Sequence, residues 1–342
     1  QRQPMKSMVM PTLVTAPAQL DGIEPLSPAF AMYGAKVLAK RTRKPSGGKI
    51  AAILRPCEIR AFIDLVKLKQ ARTDDVVLIG IDCLGALRNT DYFRFAGNDA
   101  AAATQRFYES MLAGKEAALD GVELASACKS CEHSIPDAAD IALALRGVDI
   151  GTGILAQAQS PAGEALLAQL NLPAAEVPKA REDALARLLE ARTASRDQMF
   201  AETAAATDSV EKLSNYMANC VNCYNCRVAC PVCYCKECVF VTDVFNHDPA
   251  QYLRWAQRKG AIKMPTDTVF YHLTRLTHMS TACVGCGQCS NACPNDIPVM
   301  ELFRLVGQRT QEAFAYEAGK SVDESPPMSV FKEDEFQEVV GL

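Results

Sequence analysis

Two cysteine runs of the same spacing limit what this chain can fold into. Cys220, Cys223, Cys226 and Cys230, followed by Pro231, read C-x2-C-x2-C-x3-C-P, and Cys283, Cys286, Cys289 and Cys293, followed by Pro294, repeat it. In such a run three thiolates wrap one face of an iron–sulfur cubane while the fourth, beyond the turn, ligates the other cluster. Cys293 is therefore expected to complete the cluster of Cys220, Cys223 and Cys226, and Cys230 that of Cys283, Cys286 and Cys289. Zinc is the alternative, but its tetrahedral sites use close pairs of ligands rather than a triple followed by a single. The boxes are separated by 52 residues that include the helix-like stretches "PAQYLRWAQRKG" and "DTVFYHLTRLTHM". Helices cradling two [4Fe–4S] clusters are the expectation for residues 211–310.

All fifteen cysteines fall in a chain of 342 residues with 49% hydrophobic and 22% charged side chains, long enough for two domains. Short-spaced thiols in so large a chain suit metal better than a disulfide framework and need a reducing compartment, so a cytoplasmic, oxygen-sensitive protein is expected. The net charge of −4 comes with scattered Lys and Arg, which argues against a nucleic-acid surface. The longest apolar runs, such as "VVLIGI", are far too short for a membrane span. No secretory signal is legible, and the chain opens on Gln1, which leaves room for sequence ahead of it.

The first half alternates strand and helix signals. "KIAAIL" (49–54) and "DVVLIGI" (75–81) read as buried parallel strands, and 58–70 puts Ile59, Phe62, Ile63, Val66 and Leu68 along one helical stripe. Further strands are expected at 139–145 and 151–158, and helices at 101–119 and 161–170. The fold class is an α/β domain with a mainly parallel sheet (1–180), followed by an α-helical two-[4Fe–4S] ferredoxin domain (211–310). An Ala- and charge-rich helical connector (181–210) joins them, and a polar, proline-interrupted tail (311–342) is expected to be extended, frayed or wrapped on a partner.

Four cysteines remain in the α/β half. Cys57 and Cys83 each follow a strand; if the strands are parallel neighbours, both emerge at the carboxyl edge of the sheet, where open α/β folds bind ligands. Cys128 and Cys131 add a C-x2-C pair in "ACKSCEHS". Together they are enough for a third cubane; alternatively Cys57 and Cys83 are ordinary buried cysteines.

"GKIAAILRPCEIRAF", "IGIDCLG" and "CKSCEHSIPDAADIAL" followed by "GTGILAQAQSPAGEALLAQL" resemble the beta subunit family of the coenzyme F-420 (deazaflavin) reducing hydrogenases and formate dehydrogenases, over about residues 5–172. The resemblance implies a [4Fe–4S] cluster on Cys57, Cys83, Cys128 and Cys131, with FAD beside it. Ala139, Asp140 and Ile141 keep the family's pattern, whereas His133 stands where it often has Asp. The second half is similar to the α-helical ferredoxin of the small iron–sulfur subunits of heterodisulfide reductase and succinate dehydrogenase.

Cys233, Cys235 and Cys238 are left over. Three thiolates cannot close a four-cysteine site, so they either borrow a fourth ligand for a fourth cluster or stay free, and a metal role is preferred here. "PSGGK" (45–49) reads as a turn before a strand, Arg55 and Arg60 as offsets to cluster charge or solvated groups, and His133, His247, His272 and His278 as structural. No nucleophile stands beside a paired base, so no catalytic residue is assigned. The expectation is an iron–sulfur, flavin-linked electron-transfer subunit of an anaerobic oxidoreductase complex. Its partners would be redox subunits of hydrogenase, formate dehydrogenase or heterodisulfide reductase type. The competing reading is a non-enzymatic adaptor whose clusters are structural.

Overall fold

Strand β1 (Ile50–Leu54) and strand β2 (Val76–Ile81) run parallel, in a register that sets Ile50 against Val76 and Leu54 against Gly80. Strand β3 (Ile141–Ala144) is parallel to β2, and β4 (Leu155–Ala158) closes the order β1-β2-β3-β4 antiparallel to β3. The expected strand at 151–158 begins only at Leu155, because Asp149 O accepts from Thr152 N and Gly153 N in a tight turn. That turn is too short for a parallel crossover, hence the antiparallel edge. The computed structural model describes residues 9–30, 32–115, 121–235, 237–242, 248–259 and 267–330.

Around the sheet lie α1 (Gly34–Thr42), α2 (Pro56–Lys67), α3 (Asn89–Ala96), α4 (Ala100–Leu112), α5 (Ser126–Lys129) and α6 (Pro161–Gln169). Helix α2 starts at Pro56, whose missing N–H and fixed φ suit a first helical position. Glu58 reaches back to accept from Arg55 N at 3.0 Å and also from Gly34 N at 2.7 Å, so one carboxylate holds the starts of α1 and α2 together. Its apolar stripe is buried as expected: Ile59 and Phe62 are fully enclosed. Helix α4 stops at Leu112, seven residues before its expected end, where Gly114 takes φ 71°.

The 29-residue α7 (Lys179–Thr207) is the helical stretch expected from composition. Its first turn is fixed to the sheet by Arg181, which reaches both carboxylate oxygens of buried Asp82 at 2.6 and 3.0 Å. There follow α8 (Val210–Tyr216), α9 (Asn225–Ala229), α10 (Pro249–Lys259), α11 (Asp267–Met279), α12 (Gln288–Asn291) and α13 (Val299–Ala313). Among the described residues no helix is long and apolar enough to cross a membrane.

The main core is continuous from Ile59, Phe62 and Leu78 of the α/β layer to Met217, Val284, Leu302 and Phe303 of the helical region. A second core gathers Leu87, Tyr92, Phe95, Phe107 and Met111 around α3 and α4. The start of the tail is docked on its own chain. Asp64 Oδ1 accepts from Gly319 N at 2.9 Å and from the Tyr316 hydroxyl at 3.2 Å, and Glu317 pairs with Arg60 at 3.3 Å. Gly319 has φ 75°, and a Cβ there would meet Arg60 O at 2.3 Å. Residues 331–342 of the expected tail lie outside the described residues.

Candidate metal centres

The two parallel strands carry Cys57, in the first turn of α2, and Cys83, just past β2, to the same sheet edge. Gly80 makes room there: a Cβ on it would meet Pro136 Cβ at 2.1 Å, so the loop after α5 can fold across the strand end. Cys83 N donates to Ser134 O at 2.8 Å, and Ala125 N to Ala86 O at 2.8 Å, which brings Cys128 and Cys131 in. The thiols sense one another. Burial and then Cys83 push Cys57 well above its usual pKa and Cys128 up to about 12. Cys131 is raised by burial and by Cys83, against the pull of Arg304. Arg55 is the counter-charge of this edge: its guanidinium donates to Ser27 O at 2.9 Å and Ala29 O at 2.8 Å, in the field of Glu58 and of thiols Cys83, Cys57 and Cys128.

Cys220, Cys223, Cys226 and Cys293 line one small cavity, roofed by Tyr224, Tyr271 and His272. Cys220 is raised by burial and, among thiols, by Cys226, Cys223 and Cys293. In the second box, Cys286 and Cys289 stand well above their usual values through burial and then Cys230, while Cys283 rises to about 11 through burial, with Cys230 the first thiol acting on it. Each fourth cysteine is thus drawn to the opposite box. Buried thiols that mutually oppose ionisation are costly to charge alone, and a bound metal that takes them as thiolates reverses that cost. The donor set fits iron–sulfur clusters.

The three quartets follow one another. Cys57 lies in the field of Cys286, and the buried Tyr33 hydroxyl lies in the field of both, its pKa raised by burial and then by Cys286 and Cys57. Cys289 in turn lies in the field of Cys226, with Arg275 acting on both. Gly287 permits the first approach: with φ 77°, it passes so close to α5 that a Cβ would meet Ala127 Cβ at 2.4 Å.

The leftover cysteines part company. Cys233 packs on the main core and is pushed up to about 11 by burial and then Cys230. Cys235 is exposed, and Cys238 packs instead with Cys226, Phe240 and Tyr271. Among the described residues no three His, Cys, Asp or Glu side chains converge as a single metal ion requires.

Of the histidines, His272 lies 3.3 Å from Cys220 Sγ through Nε2, His278 is exposed, and His247 is outside the described residues. His133 is pushed down to about 3 by burial and then Arg60, so it is neutral. It borders a cavity of about 470 Å³ whose wall includes Cys283, Arg60, Arg304 and Lys320. Arg304 is held by Ser130 Oγ at 2.8 Å and by Glu132, whereas buried Arg60 pairs with Glu317 and its Nε finds no partner among the described residues. Sequence reasoning missed Tyr33, Tyr271, Arg275 and Arg304. The i,i+4 pair of Tyr271 and Arg275 on a helix between the boxes was the one available signal.

The 4Fe-4S dicluster domain family matches residues 216–297, a span that holds both boxes. The similarity extends along most of the chain to two formate dehydrogenase subunits, beginning ahead of the boxes. The F420-dependent formate dehydrogenase subunit beta of Methanocaldococcus jannaschii is 27% identical over 305 residues, 82% of this chain and 75% of that protein. The F420-dependent formate dehydrogenase 1 subunit beta of Methanococcus maripaludis is 25% identical over 307 residues, with the same coverage. The chain is a homologue of these formate dehydrogenase beta subunits. It is an iron–sulfur subunit related to them, with electron transfer as its role. The α/β region with its mostly parallel sheet and the helical dicluster region are the architecture expected from the sequence.

Proposed function

We propose that the chain is a linear three-cubane relay inside an anaerobic oxidoreductase complex of hydrogenase, formate dehydrogenase or heterodisulfide reductase type. Cys57, Cys83, Cys128 and Cys131 would hold the first cluster, Cys283, Cys286, Cys289 and Cys230 the second, and Cys220, Cys223, Cys226 and Cys293 the third. The observation that carries this reading is the gathering of thiols from all three quartets on one continuous core, with the second-box turn at Gly287 laid against α5 of the sheet-edge quartet. The clusters supply one-electron storage; the chain's residues supply spacing, dryness and charge. Arg55 offsets thiolate charge at the sheet edge, Tyr33 lies in the field of the first two quartets, and Arg275 in that of the last two.

FAD belongs to the same proposal. Its support is the family resemblance and the room beside Cys283, a cavity whose cations Arg60, Arg304 and Lys320 are balanced by Glu132, Glu312, Glu317 and Glu324. The nature of the redox partners rests on the relatives, which are beta subunits of a larger enzyme.

Iron, acid-labile sulfide and flavin counts on anaerobically purified protein test the reading. About twelve irons are expected from three cubanes. About eight would remove the sheet-edge cluster, zinc in place of iron would end the relay, and absence of flavin would leave iron–sulfur conduction alone.

A further inference from the structure

Helix α11 turns one face towards the sulfurs of the first box. Arg275 Nη1 donates to Cys226 Sγ at 3.1 Å and its Nη2 to Cys226 O at 3.2 Å. The Tyr271 hydroxyl lies 3.5 Å from the same sulfur, and His272 Nε2 lies 3.3 Å from Cys220 Sγ. His272 Nδ1 has no partner among the described residues, so the polar contact of that ring is at sulfur. In its Nε2–H tautomer the ring donates to that sulfur.

These donors are held in place before any electron arrives. Tyr271 is packed edge-on against Tyr224 and Phe240, each at 4.8 Å between centroids, and the Arg275 guanidinium stacks 4.8 Å over Phe303. All three side chains are buried. Backbone groups serve both boxes, Asn222 at Cys220 and Gly285 and Gln288 at Cys283 and Cys286, and the three side-chain contacts are the addition at the first.

A reduced cubane carries one more negative charge than an oxidised one. Fixed donors and a fixed cation at its sulfurs therefore stabilise the reduced state more, and at buried sulfurs such as those of Cys220 and Cys226 the difference is larger. We propose that Tyr271, His272 and Arg275 form a preorganised donor array that raises the potential of the cluster held by Cys220, Cys223, Cys226 and Cys293, making it the electron-accepting end of the relay. This rests on the iron–sulfur reading above and adds a direction of flow to it. The three residues act as positioning and tuning groups through the ligating sulfurs.

The test is a redox titration of the full, anaerobically loaded chain, followed by electron paramagnetic resonance, with Tyr271→Phe, His272→Gln and Arg275→Gln beside the unsubstituted protein. Arg275→Gln is expected to keep its iron and lower the first-box midpoint most, with roughly a tenfold fall in the reduced-to-oxidised ratio at fixed potential, about 59 mV. Tyr271→Phe keeps the ring packing and should move the same midpoint the same way by less. His272→Gln, which offers a donor in place of the imidazole, should stay closest to the starting value. In Arg275→Gln the second-box midpoint, whose ligands Cys230 and Cys289 also lie in the field of Arg275, should fall by less, and the sheet-edge midpoint stays where it was. If Arg275→Gln loses iron, Tyr271→Phe decides: full iron with every midpoint unmoved overturns the array. An unsubstituted chain without iron overturns the underlying reading instead, so the two failures are distinguishable.

Discussion

The two cysteine boxes have the same spacing and different seats. The second makes its turns with Gly285 at φ 67° and Gly287 at φ 77°, and neither has room for a side chain: a Cβ would meet Arg304 Cδ at 2.9 Å in one case and Ala127 Cβ at 2.4 Å in the other. The first makes its turns with Asn222 at φ 51° and Tyr224 at φ 59°, non-glycine residues in the left-handed region. Its loop faces outwards, Cys223 is exposed, and Tyr224 uses its ring to hold Tyr271. Ligand spacing fixes what a box can bind; the turn residues fix what it can stand beside. The second box is built to be approached by another part of its own chain, the first to be decorated by side chains and to meet the outside.

The boxes are not independent, and the sharpest way to break the comparison is at the exchanged ligand. Cys293 belongs by sequence to the second box and lines the cavity of the first. Cys293→Ser is expected to remove about a third of the iron and the resonance signal of the cluster on Cys220, Cys223 and Cys226. Loss confined to the signal of the second box's cluster would refute the exchange.

A smaller effect is expected where the second box meets α5. Gly287→Ala places a Cβ where Ala127 already stands and asks an L-residue to hold φ 77°. Left-handed strain of about 1–2 kcal/mol and overpacking of about 1–3 kcal/mol should add to a loss of several kcal/mol in denaturant unfolding. The same change should slow electron passage between the sheet-edge cluster and the second-box cluster in stopped-flow reduction, while Asn222→Gly in the first box leaves that rate alone. Equal rates and unchanged stability in Gly287→Ala would mean that the close approach has no consequence.

How much of this was legible in the sequence depends on the range of the forces involved. The grouping of the eight box cysteines was legible because their spacing is local. The sheet-edge four were half legible: parallel strands bring Cys57 and Cys83 to one edge, but the arrival of Cys128 and Cys131 needs Gly80 to let Pro136 cross. The order of the quartets was not legible, since it hangs on Gly287 against Ala127, an approach of segments far apart in sequence. Asp64 was hidden for the same reason. It lies on a helix that reads as amphipathic, yet it is only 1% exposed, because Tyr316 and Gly319 cover it. The α11 donors look like an ordinary helix face until the first box is laid over them.

The smallest expected effect concerns the cysteines that trail the first box. If Cys233, Cys235 and Cys238 shared a cluster, the first box would be part of a larger metal assembly and the contrast between the boxes would lie in cluster number. Their surroundings argue for three separate fates. Cys233 faces Cys230 and the main core, Cys238 packs with Phe240 and Tyr271, and Cys235 is exposed between them. A surface side chain without a structural partner changes stability by less than about 0.5 kcal/mol when replaced. Cys235→Ser should therefore leave iron content, resonance signals and unfolding midpoint where they are. It should abolish whatever rapid alkylation by a thiol reagent the anaerobic protein shows at this position. A drop of about four irons in that variant would mean that the trailing thiols hold a cluster completed from outside the chain, and the outward-facing box would then be a metal-sharing interface rather than the end of a relay.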